Sequence, residues 1–296
     1  MLSFLLRRML SGMVVLLGVS TLVFAVLRIV PGDPVQSMLG EHASEADLAS
    51  LRACFHLDEP LSSQYTAFLG ELADGSMGHL CQQPEVTVAS KLWAAFWPTL
   101  ELGIASLLVA ILIAFPLGAW SAVRANTYID HAARVLSLLG ISVPSFWLGP
   151  MLLIVFALSL RIFPDPGGAA VGLVSLVLPA ITLGSALSGK LMRMLRSSML
   201  DALHAQHVQT ARAKGLGPLA VTLRHVMRNA ASAVLSLLGM QLGAVLAGAI
   251  VVEKVFARPG LGTLMLDGIE MRNYQLVQGC VLFVAVLYVL VNLATD

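Results

Sequence analysis

Charge is scarce in this chain: Asp, Glu, Lys and Arg together make up only 12% of 296 residues. A soluble domain carries about twice that fraction, so a water-exposed globular surface over most of the chain is excluded. The formal net charge is +1, which leaves no basic excess for nucleic acid; where the charges fall matters more than their sum. A Gly-x-x-x-x-Gly-Lys-Ser/Thr segment is absent, so the chain has no phosphate-cradling loop of its own. A small-x-small cleavage site is absent too. Arg7 and Arg8 precede an apolar run that resembles a secretory signal, but the run ends in "RIVPGDPV" and reads as an uncleaved first span.

What is present is apolar: 57% hydrophobic residues and a mean hydropathy of +0.85. Crossing roughly 30 Å of hydrocarbon takes about 20 residues as helix. Runs of that length fall near 9–30, 99–122, 135–160, 171–191, 229–252 and 275–295. Pro179, Gly184 and Gly189 interrupt the fourth, a break tolerated where neighbouring helices re-satisfy the backbone. The expectation is an all-α membrane protein with about six transmembrane helices.

Charge placement orients it. Between the first two runs, acids dominate: Asp33, Glu41, Glu45, Asp47, Asp58, Glu59, Glu71, Asp74 and Glu85, against Arg52 and Lys91. Between the fourth and fifth, Lys190, Arg193, Arg196, Arg212, Lys214, Arg224 and Arg228 face Asp201 alone. Lys/Arg excess marks the cytoplasmic side, and Arg7, Arg8, Arg124 and Arg134 agree, so both termini are expected inside. The acidic segment is expected to form a small helical extracytoplasmic cap. Ser44-x-x-Asp47 reads as a capping box opening a helix of about 44–56, and Tyr65, Phe68 and Leu69 are placed to pack a second helix against it. The expected division is 1–98, the first helix plus the cap, and 99–296, the remaining helices, with a cytoplasmic loop at 201–228 between helices four and five.

Within that loop, "HVQTARAKGLGPLAVTLRH" spans residues 207–225. It reads as a helix through Ala202–Lys214, a turn at Gly215 and Gly217, and a new helix begun by Pro218, which suits a first turn. Thirty or so residues between spans exceed what a connector needs and point to a docking element. The plainer reading of Arg212 and Lys214 is charge that sets topology.

Gln209-Thr210-Ala211-x-x-x-Gly215 is similar to the EAA loop of ATP-binding-cassette (ABC) importer permeases, and "TARAKGL" (Thr210–Leu216) resembles its form in the dipeptide, oligopeptide, glutathione and nickel permease family. Further blocks run in the family's order: "LLRRML" and "VPGDPV", "LDEPLSSQY", "PTLELGIASLL", "LLGISVPSFWLG", "MRNA", "GAIVVEKVFARPGLGTL" and "NYQLVQG". Met227-Arg228 stands where the general loop closes on Leu-Pro. The resemblance implies a multi-pass permease of the bacterial inner membrane. It makes Gln209, Thr210, Ala211, Arg212, Ala213, Lys214, Gly215 and Leu216 the ATPase-coupling residues. It implies two ATPase subunits, a second permease (a different chain being favoured) and an extracytoplasmic substrate-binding protein. ATP and Mg are then expected on the partner ATPases, with no cofactor in this chain and no catalysis by it. Peptides are the expected cargo, with nickel or a metal chelate as the alternative.

Ser145, Trp147, Met240 and Gln241 are candidates for the translocation path, with helix packing as the plainer reading of each. An ion-coupled carrier is the competing class. It would place a carboxylate or histidine near the midplane, whereas Glu101 and Arg28 lie near span ends where snorkelling is easy. A protein that only docks cytoplasmic partners is a further alternative. Cys54 and Cys81 fall in the outer cap, where thiols tend to pair; free thiols are a second option. Cys54, His56, His79 and Cys81 form a third, a tetrahedral metal site, although no metal is the leading expectation.

Overall fold

A computed structural model of the chain describes residues 2–29, 34–39, 43–167 and 172–295. In chain order the elements are α1 (Leu2–Ile29), α2 (Pro34–Leu39), α3 (Glu45–Cys54), α4 (Leu61–Ala73), β1 (His79–Leu80), β2 (Gln83–Thr87), α5 (Val88–Val123), α6 (Tyr128–Ser142) and α7 (Ser145–Leu152). They continue with α8 (Leu173–Leu203), α9 (Gln206–Ala213), α10 (Pro218–Val221), α11 (Met227–Val255), α12 (Leu261–Glu270) and α13 (Tyr274–Thr295). Two compact units result, and they do not follow chain order. One groups Met1–Thr99 with Pro259–Ala294, and the other is built from Leu100–Arg258.

In the first unit α1 is apolar on most sides, with Leu10, Met13, Val14 and Leu22 exposed, as a helix solvated by lipid requires. Ser44 caps α3: its hydroxyl accepts the Asp47 N–H at 3.2 Å and donates to the Asp47 carboxylate at 2.6 Å. α3 buries Leu51 with Val35 and Phe55. The apolar face of α4 goes elsewhere than expected. Phe68, flanked by Tyr65, Leu69 and Leu72, packs on Phe24 of α1 and Leu282 of α13, with the Phe24 and Tyr65 rings 5.0 Å apart. Tyr65 also shares a 2.7 Å hydrogen bond with Thr21. Phe24 and Val19 of α1 with Leu282 of α13 offer α4 an apolar seat that the short, polar α3 lacks.

The cap is not wholly helical either. Gly75, Met77 and Gly78 take φ of 78°, 56° and 89°, outside any helical run. The chain then folds back as an antiparallel β1–β2 ribbon pairing His79 with Thr87. Val86 and Thr87 favour that extended geometry, and Pro84 disfavours a helix.

In the second unit α5, α6, α8 and α11 enclose one core through Leu102, Ala110, Leu191, Leu195, Met199 and Val234. The segment expected as one span at 135–160 is bent. Tyr128–Ser142 and Ser145–Ser159 meet at 100°, because Val143 before Pro144 is held extended (φ −80°, ψ 115°) and cannot continue the helix. Beyond α7 the chain runs on as π-helix, Leu153–Ser159. α8, by contrast, is continuous through Pro179. Its glycines serve contact rather than breakage: a Cβ at Gly184 would lie 2.7 Å from the Ser106 carbonyl oxygen, and one at Gly189 2.5 Å from that of Ser137.

Among the described residues four helices are long and apolar enough to cross a membrane, or five if the bent pair is one span. The expected count of six is thus reached only in the coarser form of several apolar spans; α11, part of whose side chains lie outside the described residues, is not among those counted.

Candidate functional site

The loop between α8 and α11 is shorter in its helix than expected. α8 ends at Leu203, and α9 begins anew at Gln206, capped by Ala205 in extended conformation (φ −70°, ψ 146°). Val208 and Ala211 are the buried side of α9 and join the core with Val221 and Val226. Gln209, Thr210, Arg212, Ala213, Lys214, Gly215 and Leu216 are all exposed. The helix stops in a Schellman turn: Gly215 N–H donates to Arg212 O at 2.9 Å and Leu216 N–H to Ala211 O at 3.3 Å. That turn puts Gly215 at φ 79°, a left-handed conformation, and no atom lies within 4 Å of where its Cβ would be. Glycine is therefore required by backbone conformation and not by close approach. Pro218 opens α10 at its first position, after Gly217. Leu216, Leu219 and Leu223 stand exposed beside Arg212, Lys214 and Arg224, a mixed apolar and basic surface of the kind that interfaces bury.

Above this loop lies a buried ion pair that sequence reasoning missed. Asp130, in the first turn of α6, is fully buried. It accepts from Arg196 Nε and Nη2 of α8 at 2.7 and 2.8 Å, from the Ser121 hydroxyl of α5 at 2.6 Å and from the Asn126 N–H at 2.9 Å. Arg134 adds a contact at 3.3 Å. One carboxylate thus ties three helices together. The reading of the sequence did not single out Asp130, whose spacing of four from Arg134 is the one local signal available. Glu253 of α11 is likewise fully buried. Both acids lie at helix ends, Asp130 in the first turn of α6 and Glu253 in the last turn of α11, and neither is the mid-helix carboxylate that an ion-coupled carrier would use. Glu101 pairs with Arg258 at 3.4 Å, and Arg28 donates to Gln64 at 2.8 Å.

The translocation candidates are not brought together. Gln241 is 8% exposed and lines a cleft with Lys190, Arg193 and Ser197. Ser145 and Trp147 instead open α7, where Trp147 is 53% exposed. The side chain of Met240 lies outside the described residues.

In the cap, Cys54 and Cys81 are joined by a disulfide, their Cα atoms 5.9 Å apart. The pairing takes both thiolates from the Cys54, His56, His79 and Cys81 alternative, and His56 is engaged by Glu59 at 2.6 Å. Beside the disulfide, Arg28, His56, Gln64, Glu71 and Gln278 line a cavity of about 30 Å³. Burial raises the Glu71 carboxyl above its ordinary pKa, whereas hydrogen bonds from Ser63 and His56 lower that of Glu59. Gly184-x-x-x-x-Gly189-Lys190 comes within one residue of a phosphate loop. It lies inside α8 with buried Leu191 in the hydroxyl position, so it is a packing seam.

A helical membrane protein with a short exposed helix seated on a bundle core has the architecture of ABC importer permeases. The MetNI methionine ABC transporter, in inward-facing conformations, superposes with a TM-score of 0.54 at 18% identity, covering 69% of this chain and 93% of that one. An amino acid ABC transporter gives a TM-score of 0.51 at 14% identity, covering 70% and 89%. These establish the fold. The sequence comparison goes further. The family described as "Binding-protein-dependent transport system inner membrane component" matches residues 114–296, and that described as its membrane component's amino-terminal part matches 1–101. Each of three relatives is matched over 100% of this chain and 96% of its own length. They are the di/tripeptide permease DppB of Pseudomonas aeruginosa at 36% identity, the dipeptide permease DppB of Escherichia coli K12 at 34%, and the glutathione permease GsiC of Salmonella choleraesuis at 37%. The chain belongs to the binding-protein-dependent transport family, as an inner-membrane permease of an ABC importer. That class is distinct from ion-coupled carriers.

Proposed function

We propose that this chain is the permease subunit of an importer of small peptides. The observation that carries the reading is the full-length match to permeases of dipeptides, di/tripeptides and glutathione, which also favours peptides over nickel. It works with a second, different permease chain, two ATPase subunits and an external binding protein. Six spans with both termini cytoplasmic complete the arrangement, and ATP and Mg bind the ATPases.

On this reading α9 is the lever. Gln209, Thr210, Arg212, Lys214 and Leu216 seat in an ATPase cleft, with Arg212 and Lys214 making charge-assisted contacts. ATPase closure pushes α9, and Val208 and Ala211 pass the motion to the core. Gly215→Asp tests it. The expected result is loss of ATPase co-purification and of ATP-driven uptake, with unchanged yield in the membrane. Normal association and uptake would remove the lever assignment.

A further inference from the structure

Two adjoining cavities run along one face of α8. The first, about 370 Å³, is lined by Arg134, Ser137, Arg193, Arg196 and Ser197. The second, about 410 Å³, shares Arg193 and Ser197 and adds Lys190 and Gln241. Each is within the size range of small-molecule sites, roughly 300–1,000 Å³. Lys190, Arg193 and Arg196 follow one another at spacings of three, so they form one stripe. Asp130 neutralises Arg196 and holds its guanidinium in place. Among the described residues Lys190 and Arg193 have no ion pair. Positive groups so close repel one another and call for an anion. Cations within membrane helices face the bundle interior or a water-filled path, where they mark substrate routes.

A second observation points the same way. Ser137 is 3% exposed, yet its hydroxyl has no hydrogen-bond partner among the described residues, and neither does Arg134 Nε. Buried polar groups of this kind are paired in the great majority of cases, and Ser137 lines the cavity that the arginines share.

We infer that this cleft between α6, α8 and α11 is an oxyanion site that takes the terminal carboxylate of the transported peptide, an inference that rests on the peptide reading above. The Arg193 fork matches a carboxylate in two parallel hydrogen bonds, and the Ser137 hydroxyl donates a third. Gln241 and Ser197 supply neutral donors and acceptors for the peptide's amide. A lipid phosphate presents the same oxyanion chemistry without an amide for Gln241 to meet. Lys190 lies about 25 Å along α8 from Leu173 at 1.5 Å per residue, in the half of the helix nearer the basic loop. The stripe therefore draws an acidic terminus toward the cytoplasm.

The test is import of radiolabelled dialanine by proteoliposomes containing the whole importer with saturating binding protein. It is run in phosphatidylcholine alone and with phosphatidylglycerol added. Import by the unmodified importer tests the peptide reading by itself, and its absence overturns both. Given import, Arg193→Gln lowers the maximal rate about tenfold in both lipids, the scale of one hydrogen bond to a charged group. Arg193→Lys restores part of the rate, and half-saturation stays unchanged. Ser137→Ala lowers the rate several-fold and decides the matter if the arginine variant does not assemble, because it removes no hydrogen bond from the empty cleft. Unaltered rates in both variants overturn the inference while the peptide reading stands. A loss confined to phosphatidylglycerol vesicles also overturns it, by giving the site to a lipid phosphate.

Discussion

Replacing Arg196 by alanine leaves the Asp130 carboxylate buried, with its two shortest guanidinium bonds gone. Those bonds are 2.7 and 2.8 Å, and the carboxylate itself has no solvent exposure. Arg134, at 3.3 Å and only partly buried, replaces only part of the lost charge. Removing one partner of a buried pair costs about 3–5 kcal/mol, most of it the uncompensated charge. For a unit of this size each kcal/mol shifts the midpoint by about 2–4 °C, so Arg196→Ala lowers the thermal midpoint by roughly 6–20 °C. The assay is thermal unfolding of the detergent-purified chain. The cycle is completed with Asp130→Asn and the double variant. In the Arg196→Ala background Asp130→Asn recovers much of the loss, because a neutral amide needs no cation. An Arg196→Ala midpoint within about 2 °C of the unmodified chain, or a double variant no better than Arg196→Ala, would refute the reasoning.

Gly189→Ala forces a methyl group to 2.5 Å from the Ser137 carbonyl oxygen, separating α6 from α8 at a cost of about 1–3 kcal/mol; thermal unfolding reads it. Reducing the Cys54–Cys81 bridge, which spans 27 residues, removes about 3–4 kcal/mol of loop-closure stabilisation. Hydrogen exchange should quicken in α3 and the β1–β2 ribbon but not in α8. Glu71→Gln raises the cap's stability at pH 8 and leaves it unchanged at pH 4, as followed by exchange protection of α4 at each pH. The sign follows from a carboxyl whose folded pKa is raised by burial: its favourable contribution is complete below the unfolded pKa and is lost as pH rises through the folded one. Glu59 and Asp74, both lowered, act in the opposite direction, losing theirs as pH falls.

What a sequence shows depends on how local its cause is. The apolar runs, the Ser44–Asp47 cap and the Gly215 turn are set within a few residues, and each could be read before any coordinates. The bend at Pro144 was equally local but hidden, because apolar content stays high across residues 135–160 and run length says nothing about direction. Pro179 misled the other way: neighbours packed tightly on α8 keep it continuous, a tertiary effect. The Tyr65–Phe68 face found α1 and α13, since amphipathicity says that a helix packs and not upon what. Asp130 and Arg196 stand 66 residues apart, and only the fold of α6 against α8 joins them. The basic stripe of α8 was legible as charge, whereas the cleft it lines needed α6 and α11 in place.

The most direct single measurement is dialanine uptake by proteoliposomes that contain this chain with the proposed second permease, ATPases and binding protein. Uptake is predicted to require ATP and to stop when this chain is left out. Uptake by this chain alone, driven by an ion gradient without ATP, would contradict the account.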